Sequence, residues 1–488
     1  MLELVVFACG AVVMVLEMVG SRILAPFLGT SIIVWTSLIG VILGSLSIGY
    51  WWGGVKADRD PSRGSLSLII LMAAFFIAGV AVAKSFVLGF LQDHAMNIRF
   101  ASAIATVVLF APPSVLLGMV TPYAVKLKLE SLEKSGNTVG RLYAISTIGS
   151  ILGTFLGGFY LIAFFGSTRI LYVLCIVLVL TSLAASTGKM IAKVAALALF
   201  VLLMTAAGSY ESYLAARGLH DIDTNYNRIV VYDAKSLGGG AIRIMTTHPK
   251  AMQSAMRVEE PDLLLLPYTR FFEMAFHFKP DISRLLVLGG GGYSFPKYVL
   301  KNYPNAAVDV VEIDPRVTEL ARKFFFLEDD PRLTVIHEDA RSALHRMSGK
   351  YDAILVDVFN SHYSIPFHLT TRETAELLRE KLADDGVVML NILSGIEGRE
   401  GRFLRAEYAT YKSVFEQVRL YPVADSEDES RWQNVMLVAL KSGNKVDFSG
   451  RDSRFAELLS HLREKPLSDD MSPLTDDFAP VEMMVSER

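Results

Sequence analysis

Leu285–Asp314 reads LLVLGGGGYSFPKYVLKNYPNAAVDVVEID. The apolar run Leu285–Leu288 has the length of a buried strand and meets four glycines, Gly289–Gly292. A helical stretch follows, then a second apolar run, Val308–Ile313, which carries Glu312. The pattern predicts strand, tight turn, helix and strand. The acid lies about 20 residues past the last glycine, the spacing at which a carboxylate meets a nucleotide ribose.

Downstream, short apolar runs at 333–336, 353–358, 387–392 and 435–440 alternate with helical patterns. Such alternation predicts a mainly parallel sheet with helices on both faces, an α/β Rossmann-like domain over 276–445. Upstream, NRIVVYD (227–233) and AIRIMTT (241–247) alternate in polarity around Gly238-Gly239-Gly240. They predict a β-hairpin within a small β subdomain over 209–275. The tail, 446–488, is polar with no evident core.

The first 208 residues are of another kind. The chain as a whole is 52% hydrophobic, with a mean hydropathy of +0.39, and the excess lies before residue 208. Apolar stretches at 2–20, 31–53, 66–90, 101–125, 142–165, 168–187 and 190–208 are each long enough to cross ~30 Å of hydrocarbon. They predict an α-helical multi-pass membrane domain of about seven helices over 1–208. Cys9 and Cys175 both fall in these runs and imply no disulfide framework. The net charge of −3 gives no argument for a nucleic-acid partner.

Small residues recur at four-residue spacing, Gly40 and Gly44, then Gly149, Gly153 and Gly157, as in close helix packing. Glu17 and Arg22 are the notable charges near the first helix and, five positions apart, share no helix face. Basic residues crowd the loops near 54–65, 126–141 and 188–193, which the positive-inside rule assigns to the cytoplasm. Seven crossings would then leave the C-terminal domain outside. A domain that uses a nucleoside donor made in the cytosol belongs inside, and the expectation here is a cytoplasmic one, which needs one segment fewer to cross.

In a parallel α/β sheet, ligands bind beyond the carboxyl ends of the strands. Four features fall there: the glycine turn, Glu312, Asp339 in HEDAR, and Asp357 in ILVDVFN. A carboxylate accepts from ribose hydroxyls, and a second acid can accept from an adenine amino group. Asp339 also suits the N-cap of the helix that follows it. The pattern calls for no metal.

Residues 224–440 resemble the spermidine synthase family of aminopropyltransferases. The resemblance is carried, in order, by Gln253-Ser254, Phe272-Glu273-Met274, the glycine turn, Val311-Glu312-Ile313-Asp314, Glu338-Asp339-Ala340 and Asp357. The whole chain is similar to a membrane-anchored branch of that family, with GRLYAISTIGSILGTFLGGF (140–159), DVFNSHYSIPFHLTTRE (357–373) and LTDDFAPVE (474–482). The resemblance implies a methyltransferase-type Rossmann fold and aminopropyl transfer from decarboxylated S-adenosylmethionine to an amine such as putrescine, with no tightly bound cofactor. It implies Asp357 as the base, and Gln253, Gly289, Gly291, Glu312, Asp339 and Ala340 at the donor. Glu273, Asn360, His362 and Tyr363 are the candidates for the acceptor side, and the family suggests a homodimer.

Three positions depart from the family's pattern. Gly292 stands where the family has an aspartate for the donor's amino group, Asn360 where it has a second acid, and Phe271 where it has a tyrosine. Glu259, Glu260 or Asp262 could supply charge instead. Two further functions therefore stay open. One is methyl transfer from intact S-adenosylmethionine on the same scaffold. The other is a non-catalytic transporter or sensor that binds polyamine or nucleoside.

Overall fold

The computed structural model describes residues 1–488 except 95–96, 130–134, 187, 236–238, 248–251, 359–364, 425–427, 444–445, 449–453 and 487–488. The chain divides into two compact units, Met1–Ile229 and Val230–Arg488.

Among the described residues, the first unit holds seven helices long and apolar enough to cross a membrane: Leu2–Leu28, Ile32–Arg59, Arg63–Asp93, Ile98–Lys128, Ser135–Phe164, Ser167–Ala185 and Met190–Ala216. Their starts are written locally. Ser31 and Ser62 each accept the amide three residues on, those of Val34 and Ser65, so an orphan donor of the first turn is satisfied. The seventh helix runs to Ala216, past the apolar limit at 208, because SYESYLAA continues in residues with no helix breaker. The fourth is interrupted at Met119, after Pro112 and Pro113.

Close backbone approach does occur at small residues, but not at every one expected. A Cβ on Gly149 or Gly153 would lie 2.1 or 2.4 Å from the carbonyl oxygen of Phe7 or Ala11, so these glycines let the fifth helix lie against the first. Gly40 and Gly44 have open space beside them. The second helix instead meets the fourth through Gly49 and Gly53, against Val115 and Met119. The expected row was one helix face out of place. At one end of the unit Glu3 receives Lys128 Nζ at 2.5 Å and Arg141 Nε at 2.9 Å. A short strand, β1 (His220–Asp223), follows the seventh helix.

β2 (Arg228–Lys235) carries the chain from the first unit into the second. It pairs antiparallel with β3 (Ala241–Thr246), which pairs with β4 (Ser254–Arg257), as the hairpin pattern predicts. The main sheet contains β5 (Arg284–Leu288), β6 (Ala307–Val311), β7 (Leu333–Ile336), β8 (Tyr351–Val356), β9 (Leu382–Ser394), β10 (Gln417–Pro422) and β11 (Gln433–Leu440). Its order is β10-β11-β9-β8-β5-β6-β7. Neighbours from β7 to β9 are parallel, while β11 pairs antiparallel with β9, and β10 antiparallel with β11. β10 was not expected: QVRLYP is short, ends in proline and exposes Arg419, as an edge strand can.

Both faces of the sheet are covered. Leu286, Leu288, Ile354, Val356, Leu390 and Leu437 share one core with the helices Ala340–Arg346, Arg372–Lys381 and Arg402–Lys412. Their strand neighbours Leu285, Val287, Ala353, Leu355, Met389 and Val438 point to the other face and are equally buried. The tail does have a core role, unlike the expectation: Leu474, Val481 and Val485 join that first cluster. Their spacing among polar residues hid them.

Candidate active site

β5 lies between β6 and β8, the place where the strand order reverses and a crevice opens. The strand registers fix what meets there. Gly289 donates its amide to Val311 O at 2.8 Å, and Asp357 donates its own to Leu288 O at 2.9 Å. Gly289 has φ +95, and a Cβ on it would lie 2.3 Å from Asp357 O. The ends of β5 and β8 are thus as close as two backbones allow, and only glycine fits between them.

The turn is held from two sides. Glu312 Oε2 accepts the amides of Gly290 and Gly291, at 2.8 and 3.4 Å, and its Oε1 accepts that of Asp314 at 3.0 Å. Burial pushes the Glu312 carboxyl above its ordinary range, against the pull of those amides. Ser254 Oγ accepts the amide of Gly292 at 2.8 Å. A Cβ on Gly292 would meet Ser254 Cβ at 3.0 Å and Phe325 Cδ1 at 3.1 Å, so the space of a larger side chain is already filled.

Gln253, Ser254, the four glycines and Asp357 line one pocket, with Tyr268, Phe272 and Phe295 in its wall. The Gln253 side-chain oxygen is buried with no hydrogen-bond partner among the described residues, an acceptor left open within a ligand site. Asp357 keeps part of its surface toward this pocket. Tyr268 donates its hydroxyl to Asp357 Oδ2 at 3.1 Å, and Asn391 Nδ2 donates to Oδ1 at 3.0 Å. Asn434 Nδ2 in turn donates to Asn391 Oδ1 at 2.9 Å, which fixes the orientation of the Asn391 amide. Burial raises the Asp357 carboxyl above the usual range, while Asn391 and Tyr268 pull it back. Burial and the Asp357 charge push the Tyr268 hydroxyl far above its ordinary value, so it stays protonated and donates. The carboxylate is therefore held by two neutral donors, with no cation beside it in the lining among the described residues.

Tyr268, Asn391 and Asn434 were not singled out from sequence. Two of them carried a signal. Tyr268 sits one helical turn before Phe272 in PYTRFF, and Asn391 is the one polar residue inside VVMLNIL of β9. Phe271, at the expected tyrosine position, is buried and packs edge-on against His461 at 5.2 Å. The hydroxyl that reaches Asp357 comes from three positions earlier.

The remaining candidates separate. Asp339 caps the helix Ala340–Arg346, accepting Ser342 N at 3.0 Å, and its Oδ2 meets His368 Nε2 at 2.9 Å. Burial raises its carboxyl, but the Ser342 amide and His368 together hold it below the ordinary value. Ala340 is the first residue of that helix. Glu273 is a correction: it points away from the pocket that Phe272 lines, accepts Tyr298 Oη at 2.8 Å, and lines a separate cavity with Tyr303 and Arg454. Glu260 pairs with Arg257 at 3.2 Å, Asp262 with Lys301 at 2.5 Å, and Glu259 accepts Ala241 N at 3.1 Å, so none supplies charge to this pocket. Asn360, His362 and Tyr363 lie outside the described residues. Among the described residues no cluster of His, Cys, Asp and Glu has the make-up of a metal site.

Comparison with known proteins adds an independent line. A family model described as spermine/spermidine synthase domain matches residues 269–437. The polyamine aminopropyltransferase of Chromobacterium violaceum is 30% identical over 187 residues, 36% of this chain and 71% of that protein. That of Vibrio vulnificus is 32% identical over 204 residues, 40% of this chain but 64% of the relative's length. Polyamine aminopropyltransferase 2 of Ralstonia nicotianae is 26% identical over 428 residues, 81% of this chain and 79% of its own. That last match is too long for the residues after 208 to hold alone, so it runs into the apolar helices.

Proposed function

We propose, for a chain that belongs to the spermine/spermidine synthase family of polyamine aminopropyltransferases, transfer of the aminopropyl group of decarboxylated S-adenosylmethionine to putrescine or a related amine. The observation that carries this reading is Asp357, open to a pocket beside the glycine turn, with both oxygens held by neutral donors. An ammonium near its ordinary pKa of about 10 has no lone pair to attack with. Asp357 attracts that cation and takes one proton. The amine nitrogen then forms a bond to the carbon next to the sulfonium, the carbon–sulfur bond breaks, and methylthioadenosine leaves with the electron pair on sulfur. Glu312 and the open acceptor of Gln253 suit the hydroxyl and amino groups of a nucleoside donor. Asp339, with Ala340, is assigned to the adenine end.

The seven apolar helices support a multi-pass anchor in a bilayer, and the family supports a homodimer. We place the enzyme unit on the cytoplasmic face, where sulfonium donors are made. A reporter fused after Arg488 that reads as external would overturn this placement, and it is the outcome that seven crossings with basic loops inside would give.

One observation favours a second reading. Gly292 offers no charge for the donor's amino group, and Ser254 and Phe325 leave no room for one. A donor carrying its own carboxylate, intact S-adenosylmethionine, would meet no repulsion there. Incubation of the purified full chain with each donor and putrescine, followed by mass spectrometry, separates the two. Methylthioadenosine with spermidine is expected. S-adenosylhomocysteine would replace that reading with methyl transfer, and neither product would leave a binding protein.

A further inference from the structure

The helical unit contains a charged cavity of about 460 Å³ where its first, third, sixth and seventh helices meet. Two of its three carboxylates are paired with arginines. Asp221 takes Arg228 through both oxygens, with Nε at 2.7 Å. Glu211 takes Arg169 Nη2 at 2.5 Å. Asp223 accepts the amide of Ser167 at 2.8 Å, at the start of the sixth helix.

Lys84 differs. Its ammonium donates to Thr168 Oγ1 at 2.6 Å, and among the described residues no carboxylate stands at ion-pair distance from it. An ammonium has three donors, so two remain for the cavity it lines. With Arg22 also in the lining, four cations face three carboxylates, and the cavity holds an uncompensated positive charge.

Its lining also includes the apolar side chains of Phe27, Phe164 and Leu214. Lys84 lies nine positions before the end of its helix and Arg22 six before the end of its own. At 1.5 Å per residue, both charges sit roughly 9–14 Å in from the helix ends. Both charges therefore lie within helices long and apolar enough to cross a bilayer, not at their tips.

We propose that this cavity binds the phosphate group of an anionic amphiphile, with the phosphate on Lys84 and an apolar body along Phe27, Phe164 and Leu214. Charge-assisted bonds from an ammonium to phosphate oxygens are of the strong kind. The chemistry is that of a phosphate, whether carried by a lipid or free.

The test uses the full chain, stripped of lipid in a neutral detergent. Phosphatidylglycerol, phosphatidylcholine and inorganic phosphate are added separately, and binding is read by native mass spectrometry and by the thermal midpoint. Phosphatidylglycerol is expected to be retained and to raise the midpoint, with Lys84→Gln weakening its binding about tenfold and Lys84→Arg restoring it. Equal protection by inorganic phosphate, lost in the same variant, supports the site with a free anion as its ligand. Binding that Lys84→Gln leaves unchanged overturns the proposal. If that variant fails to fold, the wild-type chain decides: no preference for phosphatidylglycerol over phosphatidylcholine, together with no effect of phosphate, also overturns it.

Discussion

Asp357 and Glu407 are both carboxylates set into the α/β unit, and they differ in what surrounds them. Asp357 follows β8, keeps part of its surface toward a pocket, and has each oxygen bonded to a neutral donor. Glu407 lies within the helix Arg402–Lys412 with 0% exposure, and among the described residues neither of its oxygens has a hydrogen-bond partner. Tyr411, one turn on, has its hydroxyl buried and unpartnered as well. Burial pushes both carboxyls up, Glu407 well above its ordinary value. The contrast separates two uses of burial. At Asp357 the fold supplies donors that stabilise the anion while leaving a path to it. At Glu407 it supplies neither, and burial acts on the carboxyl with no donor to oppose it.

If that contrast is sound, removing the charge should matter at one site and not the other. Asp357→Asn is expected to lower turnover about a thousandfold, the scale of a lost general base, measured as methylthioadenosine release. Retained activity would make Asp357 a second Glu407, a buried acid without chemistry. Gly289→Ala attacks the same site through the backbone. Its φ of +95 and the 2.3 Å approach to Asp357 O would force β5 and β8 apart. A loss of about 3 kcal/mol is expected in denaturant unfolding, with loss of donor binding. A fully stable variant would show that the strand ends are not the rigid pair described.

Glu407→Gln sharpens the other half. A carboxyl raised in the folded state binds its proton more tightly there than in the unfolded chain. Its stabilising contribution is complete below the unfolded pKa of about 4.3 and declines as pH rises toward the folded pKa. The slope is at most about 1.4 kcal/mol per pH unit, so the wild type should lose stability relative to the variant as pH rises above the unfolded value. Unfolding of both at several pH values checks this. Parallel curves would mean that Glu407 finds a partner and keeps its charge, and turnover should be unchanged throughout.

The pair also explains which parts of the molecule could be read in advance. Gly289, Glu312 and Asp357 were visible because parallel strands in register bring residues at strand ends together, and strand ends are marked by a change from apolar to polar. The seven helices were visible because length and apolarity alone define them. What escaped depends on rotation about an axis. Glu273 stands next to Phe272, but one position along their 3-10 turn rotates a side chain by about 120°, and it faces Tyr298 instead of the pocket. Gly40 and Gly44 share the spacing of Gly49 and Gly53 but lie on another helix face. Spacing gives a periodicity, and packing chooses the phase. The tail was misjudged for a related reason: Leu474, Val481 and Val485 are too far apart to form a pattern, yet each fills a place in a core built by other elements.

Tyr268 is the test of whether donors, and not burial, set the behaviour of Asp357. Its hydroxyl is 3.1 Å from Oδ2, while Asn391, braced by Asn434, holds Oδ1 at 3.0 Å. Tyr268→Phe keeps the ring and its packing against Phe272 at 6.3 Å and removes one donor to the anion. A hydrogen bond to the charged form lowers a carboxyl's pKa, so its loss raises it. The base works only when deprotonated. The acidic limb of the pH–rate profile should therefore move to higher pH, by about one unit for a bond of this kind. Well above the limb, turnover should fall by only about fivefold, since the carboxylate survives with Asn391 still bound. A Tyr268→Phe variant that leaves the limb in place would mean that Tyr268 merely packs, and that Asp357 owes its state to burial, as Glu407 does.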